Sequence, residues 1–228
     1  MFTLIIGNKN YSSWSLRPWL LLRQLGIPFT ERLEPFIPHG SHDAFRAFSP
    51  TGRVPLLVDG DIKVWDSLAI AEYVAESHPQ VWPADRAARA FARAISAEMH
   101  AGFATLRNAC GMNCGLRITL RAVTPALQAD LDRIDEIWCE GLARFGGPFL
   151  TGASFTAADA FYAPVALRLQ TYGLTLSPPA AAYAARLLAL PSMQDWYNAA
   201  LNETWREPSH EAEVAAAGTI TSDLRRTA

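Results

Sequence analysis

The stretch Val54-Pro55-Leu56-Leu57-Val58-Asp59-Gly60-Asp61-Ile62-Lys63-Val64-Trp65-Asp66-Ser67 decides how the first half of the chain folds. Its apolar run to Val58 reads as a strand, Asp59-Gly60 as a tight turn, and residues 61–65 as a second strand returning beside the first. Asp66-Ser67 then supplies acceptors for the free N–H groups of a helix start. Leu68, Ile70, Ala71 and Val74 recur at helical spacing until Pro79 closes the pattern after His78.

Working outward, Phe2 to Ile6 is a short apolar run ending at Gly7-Asn8, as a buried strand does. A Ser/Asn/Tyr loop follows, then helical spacing from about Leu16 to Leu25, stopped by Gly26-Ile27-Pro28. Phe29 to Glu34 reads as a second strand, and Pro35 to Pro50 as a long linker carrying His39 and His42. The order β-α-β, loop, β-β-α predicts a mixed sheet with one strand running against its neighbours. From Ala84 the composition turns to Ala, Leu, Arg and Glu with no evident strand as far as Glu203, which predicts an all-helical bundle. The expected division is therefore residues 1–79 and 84–228 joined by Pro79 to Pro83, with a loose, polar, Ala-rich tail.

A net charge of −2, from 20 basic and 22 acidic side chains spread along 228 residues, excludes the electrostatic footprint of a nucleic-acid or anionic-membrane binder. The opening apolar run is too short to span a bilayer and no cleavage pattern follows it, so a cytoplasmic location is expected. Cys110, Cys114 and Cys139 cannot all pair within one chain and form no C-x-x-C motif, which predicts reduced thiols and no metal site.

Ser12-Ser13-Trp14-Ser15-Leu16-Arg17-Pro18-Trp19-Leu20-Leu21 resembles the serine-bearing first loop and helix of cytosolic glutathione transferases, nearest the tau and zeta classes. Ser49-Pro50-Thr51-Gly52-Arg53-Val54-Pro55-Leu56-Leu57 resembles that family's segment ending in a cis-proline, and Trp65-Asp66-Ser67-Leu68-Ala69-Ile70 the start of its glutathione-binding helix. Phe149-Leu150 with Ser154-Phe155-Thr156-Ala157-Ala158-Asp159 resembles its helix-capping motif. The resemblance implies a thioredoxin-like N-terminal domain, an all-helical C-terminal domain, glutathione as co-substrate, no metal, and a homodimer.

Conjugation by glutathione needs a thiolate, and an ordinary thiol with a pKa of about 8.5 is only slightly ionised at neutral pH. Lowering that value by about two units takes about 2.7 kcal/mol, within reach of one aimed hydroxyl and the positive end of a helix. In tau- and zeta-like sequences the serine stands five residues before the helix arginine, here Arg17, which selects Ser12; theta- and delta-like spacing selects Ser13. The plainer reading of both is helix capping. Tyr11 is a rival phenol, and Arg17 reads as structural.

By the same resemblance, the backbone of Val54 before Pro55 pairs with the cysteinyl unit of glutathione, and Arg53 reaches a carboxylate. Asp66 and Ser67 receive the γ-glutamyl end, although Asp66 is one methylene shorter than the family's usual Glu or Gln. His39 and His42 are candidates for the glycine carboxylate. The electrophile is expected against a helical segment from Met99 to Ile118, where Phe103, Arg107, Asn108, Met112 and Asn113 mix apolar and polar groups. Phe103 and Met112 equally fit a bundle core. Trp138, Trp196 and Trp205 read as core, and Thr156 with Asp159 as a capping box. Alternatives to conjugation are a maleylacetoacetate isomerase-like reaction, weakened by Trp14 where zeta-like sequences carry cysteine, thiol-dependent peroxidase chemistry, and a non-enzymatic scaffold.

Overall fold

A computed structural model describes residues 1–226. Strand β1 (Phe2–Ile6) is apolar because it lies inside the sheet and is covered on both faces. It pairs in parallel with β2 (Phe29–Leu33) and antiparallel with β3 (Leu56–Asp59), which returns as β4 (Ile62–Trp65), giving the order β2-β1-β3-β4. Parallel pairing of β1 and β2 requires a crossover, supplied by helix α1 (Ser13–Gln24). That helix starts a turn before the apolar spacing indicates, because the Ser12 side chain accepts the Ser15 N–H and so fixes the cap. Helix α2 (Ser41–Phe45) is a single turn within the linker read as loop, and α3 (Ser67–Ser77) follows β4 as expected.

The second half contains α4 (Arg86–Ala101), α5 (Ala104–Ala109), α6 (Pro125–Phe145), α7 (Ala157–Tyr172), α8 (Pro178–Ala189), α9 (Pro191–Asn202) and α10 (Pro208–Ala217). Helix α7 is buried on nearly every face, packing on α1, α4 and α8, and its weak amphipathicity follows from that position. Trp138 and Trp196 are fully buried, whereas Trp205, read as core, is 49% exposed.

Two expectations for this half fail. The helical segment from Met99 to Ile118 breaks at Gly102, Phe103 adopts a left-handed backbone with φ 56°, and the chain leaves α5 to form strand β5 (Leu116–Leu120). The second half is otherwise the helical domain expected, but its tail is not loose: after α10 the chain forms β6 (Gly218–Asp223), antiparallel to β5, which adds a two-stranded ribbon to the helices. Leu116, Ile118 and Leu120 do alternate with Arg117 and Thr119, but the pairing partner lies about a hundred residues later, beyond the reach of local pattern reading. Gly218 allows the close approach, since a Cβ there would run into the Thr119 carbonyl.

Two polar contacts secure the second half, one within it and one to the first loop. At the head of α7 the Asp159 carboxylate accepts the N–H groups of Leu150 (3.0 Å) and Thr156 (2.9 Å) and the hydroxyl of Tyr183 (2.8 Å), completing a capping box with Thr156. On α10, Glu211 accepts the Tyr11 hydroxyl at 2.6 Å and pairs with Arg225, which binds the tail to the first loop.

Asp159→Ala strands these buried donors, and urea denaturation should show a loss of about 3 kcal/mol, against about 1 kcal/mol for Tyr183→Phe. Burial pushes the Glu211 carboxyl up, but its bonds to Arg225 and Tyr11 outweigh this and hold it below the ordinary value. A depressed folded pKa contributes stability that is present above the unfolded value of about 4.3 and is lost as pH falls through the folded one. Hydrogen-exchange protection factors across residues 208–217, corrected for the intrinsic slowing of amide exchange in acid, should therefore fall on acidification below that value in the wild type, and already be low at neutral pH in Glu211→Ala.

Candidate active site

A cleft of about 830 Å³ opens between the two halves, walled by the first loop and the start of α1 on one side and by α5, α7 and α10 on the other. A recess of about 370 Å³ adjoins it at Trp14, Arg53 and Val54, and runs past Pro55 to Asp66, Ser67 and His100.

The first loop is shaped from afar. Lys9 and Asn10 donate their backbone N–H groups to the Glu203 carboxylate at 2.6 and 3.1 Å, and Trp196 Nε1 donates to the Lys9 carbonyl at 3.0 Å. Asn10 Oδ1 accepts from the backbones of Cys114 and Gly115. Burial pushes the Glu203 carboxyl up against the pull of these donors. The loop thus delivers residues 11–14 to the cleft in a fixed order.

Ser12 and Ser13 both line the cleft. Ser12 Oγ accepts the Ser15 N–H at 3.3 Å and donates to Ser15 Oγ at 2.8 Å, and Ser15 Oγ in turn accepts from Gly7 N–H. Ser13 Oγ accepts from Arg168 Nη2 at 3.4 Å. Tyr11 also lines the cleft, but its proton goes to Glu211; burial, then Glu211, drives its pKa upward, so it is poorly placed to serve as the thiol's partner.

In the recess, the Val54–Pro55 peptide bond is cis, and the ladder between β1 and β3 ends at Leu56, which leaves the Val54 backbone outside the strand pairing. Asp66 has a positive φ of 74°, accepts the Leu68 N–H at 2.8 Å and stands 3.4 Å from His100 Nε2. Ser67 is buried, and its Oγ accepts from Arg17 Nη1 at 3.4 Å. Arg17 is buried with its guanidinium 4.1 Å from the Trp14 ring centre; burial, then the charges of Arg168 and Arg107, pull it down to about 9. Arg53 is exposed and borders both cavities.

His39 and His42 lie on the α2 side of the cleft, with His42 beside Asp43 at 3.2 Å. Of the residues read as electrophile contacts, Arg107, Asn108 and Met112 line the cleft; Phe103 does not, because the left-handed turn at the head of α5 buries its ring in the core. Asn113 is likewise buried, its Oδ1 taken by the N–H groups of Gly115 and Leu116.

Sequence reading missed Arg168 and the wall formed by Glu207, Ser209, His210 and Glu213. His210 stacks between the rings of Tyr11 and Phe36 and bonds Glu207 at 2.7 Å. The available signal for Arg168 was a lone charge inside the apolar run Val165 to Leu169. Arg168 at Ser13 and Arg107 beside Trp14 bring two cations to the serine end of the cleft, an arrangement that favours an anion there. Among the described residues no group of His, Cys, Asp and Glu can hold a metal ion, and no helix is long and apolar enough to cross a membrane.

Comparison with known proteins gives this geometry a family. Residues 11–77 match the model of the glutathione S-transferase N-terminal domain, and residues 89–199 that of the C-terminal domain. A probable maleylacetoacetate isomerase from Caenorhabditis elegans is 28% identical over 75% of this chain and 79% of its own length. Glutathione S-transferase theta-1 from Homo sapiens is 27% identical over 68% of this chain and 70% of its own. A crystal structure of a glutathione transferase homologue from Burkholderia, with bound glutathione, superposes with a TM-score of 0.66 at 25% identity, covering 87% of this chain and 97% of that one. Matched in order by both domain models, and folded like the Burkholderia protein, the chain belongs to the glutathione S-transferase family.

Proposed function

We propose that the protein conjugates glutathione to a small electrophile, with a hydroxyl of the Ser12–Ser13 pair stabilising the thiolate. The observation that carries this reading is the continuity of the two cavities: serines at the head of α1 share one wall with a recess ending at Ser67 and the head of α3. An extended tripeptide fits that path. Its γ-glutamyl carboxylate would meet Ser67 and the free N–H groups of α3, its ammonium Asp66, and its cysteinyl backbone Val54 beside Pro55. Its glycine carboxylate would lie toward Arg53 and His39. The electrophile would then occupy the wider cleft against Arg107, Asn108 and Met112.

The glutathione-binding unit is assigned to residues 1–79 and the electrophile-binding unit to 84–228, joined by the short 3₁₀ turn Pro79–Val81. A cytoplasmic homodimer is the assembly proposed. A second reading, glutathione-dependent isomerisation, draws support from the isomerase relative; it uses the same thiolate but returns the glutathione.

Purified protein with 1-chloro-2,4-dinitrobenzene should consume one glutathione per electrophile with saturation in both; a cis-enone rearranged without loss of glutathione would favour the isomerase reading instead. Ser67→Ala removes one hydrogen bond to the γ-glutamyl carboxylate and should raise the glutathione Kd about tenfold by calorimetry, equivalent to about 1.4 kcal/mol.

A further inference from the structure

We infer that Arg168 is a positioning residue for the thiol-activating hydroxyl and that it selects Ser13 for that role; the inference rests on the conjugation reading above.

The two serines are neighbours but are bonded differently. Ser12 is fully engaged, accepting from Ser15 N–H as the cap of α1 and giving its proton to Ser15 Oγ, which lies in the interior and is itself fixed by Gly7 N–H. To serve a ligand, that proton would have to abandon a buried acceptor. Ser13 Oγ is approached by a donor only, Arg168 Nη2, so its own proton is free to point into the cleft. A hydroxyl that accepts from a cation is also a stronger donor, because each bond polarises the next.

Arg168 is built to stay there. Its Nε donates to the Cys110 carbonyl at 2.8 Å and its Nη1 to the Pro164 carbonyl at 3.4 Å, and the side chain is 5% exposed. None of the ion pairs among the described residues includes it. The titratable groups around it leave its charge standing: Arg17 from α1 and Arg107 from α5 are cations, and Asp66 is held toward His100. Burial pushes the Cys110 thiol up to about 11 and raises the Tyr172 phenol, so both stay neutral at pH 7. The charge is therefore available to an anion at Ser13, and an opposite charge at about 4–6 Å lowers an acid's pKa by about 1–3 units.

The test is a pH titration of the thiolate's ultraviolet absorbance in the glutathione complex of the wild type, Ser12→Ala, Ser13→Ala, Arg168→Met and Arg168→Lys. Glutathione affinity and thermal midpoint are measured alongside. Ser13→Ala and Arg168→Met should each raise the bound thiol's pKa by about one unit or more, clearly above the rise in Ser12→Ala, while Arg168→Lys restores most of the wild-type value. A merely structural Arg168 would change the thermal midpoint without moving the thiol. A larger rise in Ser12→Ala than in Ser13→Ala overturns the inference, as does an unchanged thiol pKa in a folded Arg168→Met; should Arg168→Met fail to fold, the serine pair and Arg168→Lys still decide. Wild type that binds glutathione without ionising it contradicts this inference together with the conjugation reading, whereas a normal wild-type thiolate with the serine order reversed contradicts this inference alone.

Discussion

A single buried carboxylate sets the shape of the whole site. Glu203, at the end of α9, takes the backbone N–H groups of Lys9 and Asn10, and in doing so fixes a loop nearly two hundred residues away in sequence. An unpaired carboxylate in that position would be costly, and unpaired amides in a buried loop equally so; each satisfies the other. The Trp196 indole and the Asn10 amide extend the same network, so the order Tyr11, Ser12, Ser13, Trp14 reaches the cleft without depending on α1 alone. The helical half therefore builds the serine loop as well as walling the cleft opposite it.

The second constraint is electrostatic. Arg17, Arg107 and Arg168 converge around Trp14 and Ser13, and none is ion-paired among the described residues. Backbone carbonyls, aromatic faces and hydroxyls meet most of their donors, though Arg17 Nε is left without a partner, and none of these neighbours carries a balancing charge. Burial and mutual repulsion show in the lowered pKa values of about 9 for Arg17 and about 10 for Arg168. Such an arrangement is unfavourable in the empty protein and becomes favourable when an anion arrives, as expected of a site that breaks local rules for function. The carboxylates that line the same cleft, Asp43 and Glu207 among them, stand beside His42 and His210.

Much of this was legible in the sequence, for identifiable reasons. The strands and helices of residues 2–77, the single turn α2 apart, carry local signals: apolar runs bounded by Gly, Pro and Asp-Gly, and caps at Ser12 and Asp66. Asp159 announced itself by its spacing from Thr156. What stayed hidden depends on distant partners. Nothing near Leu116 reveals that Gly218 to Asp223 will lie beside it, and nothing near Glu203 reveals Lys9. Phe103 looked like a wall residue because helical spacing was extended through Gly102, where the backbone turns left-handed. The pair Ser12 and Ser13 shows the limit most clearly: spacing to Arg17 ranks them by likeness to other sequences, but which proton is free depends on Ser15 and on an arginine 155 residues further along.

The central claim is that this cleft takes up glutathione as its thiolate, and proton release on binding tests it most directly. Calorimetric titration at a pH near 7, repeated in buffers of different ionisation enthalpy, counts the protons lost per glutathione bound, with S-methylglutathione as the ligand that has no thiol proton. The account predicts release approaching one proton for glutathione and close to none for the methylated ligand, at comparable affinity. Equal proton counts for the two ligands, or no binding of either, would contradict it.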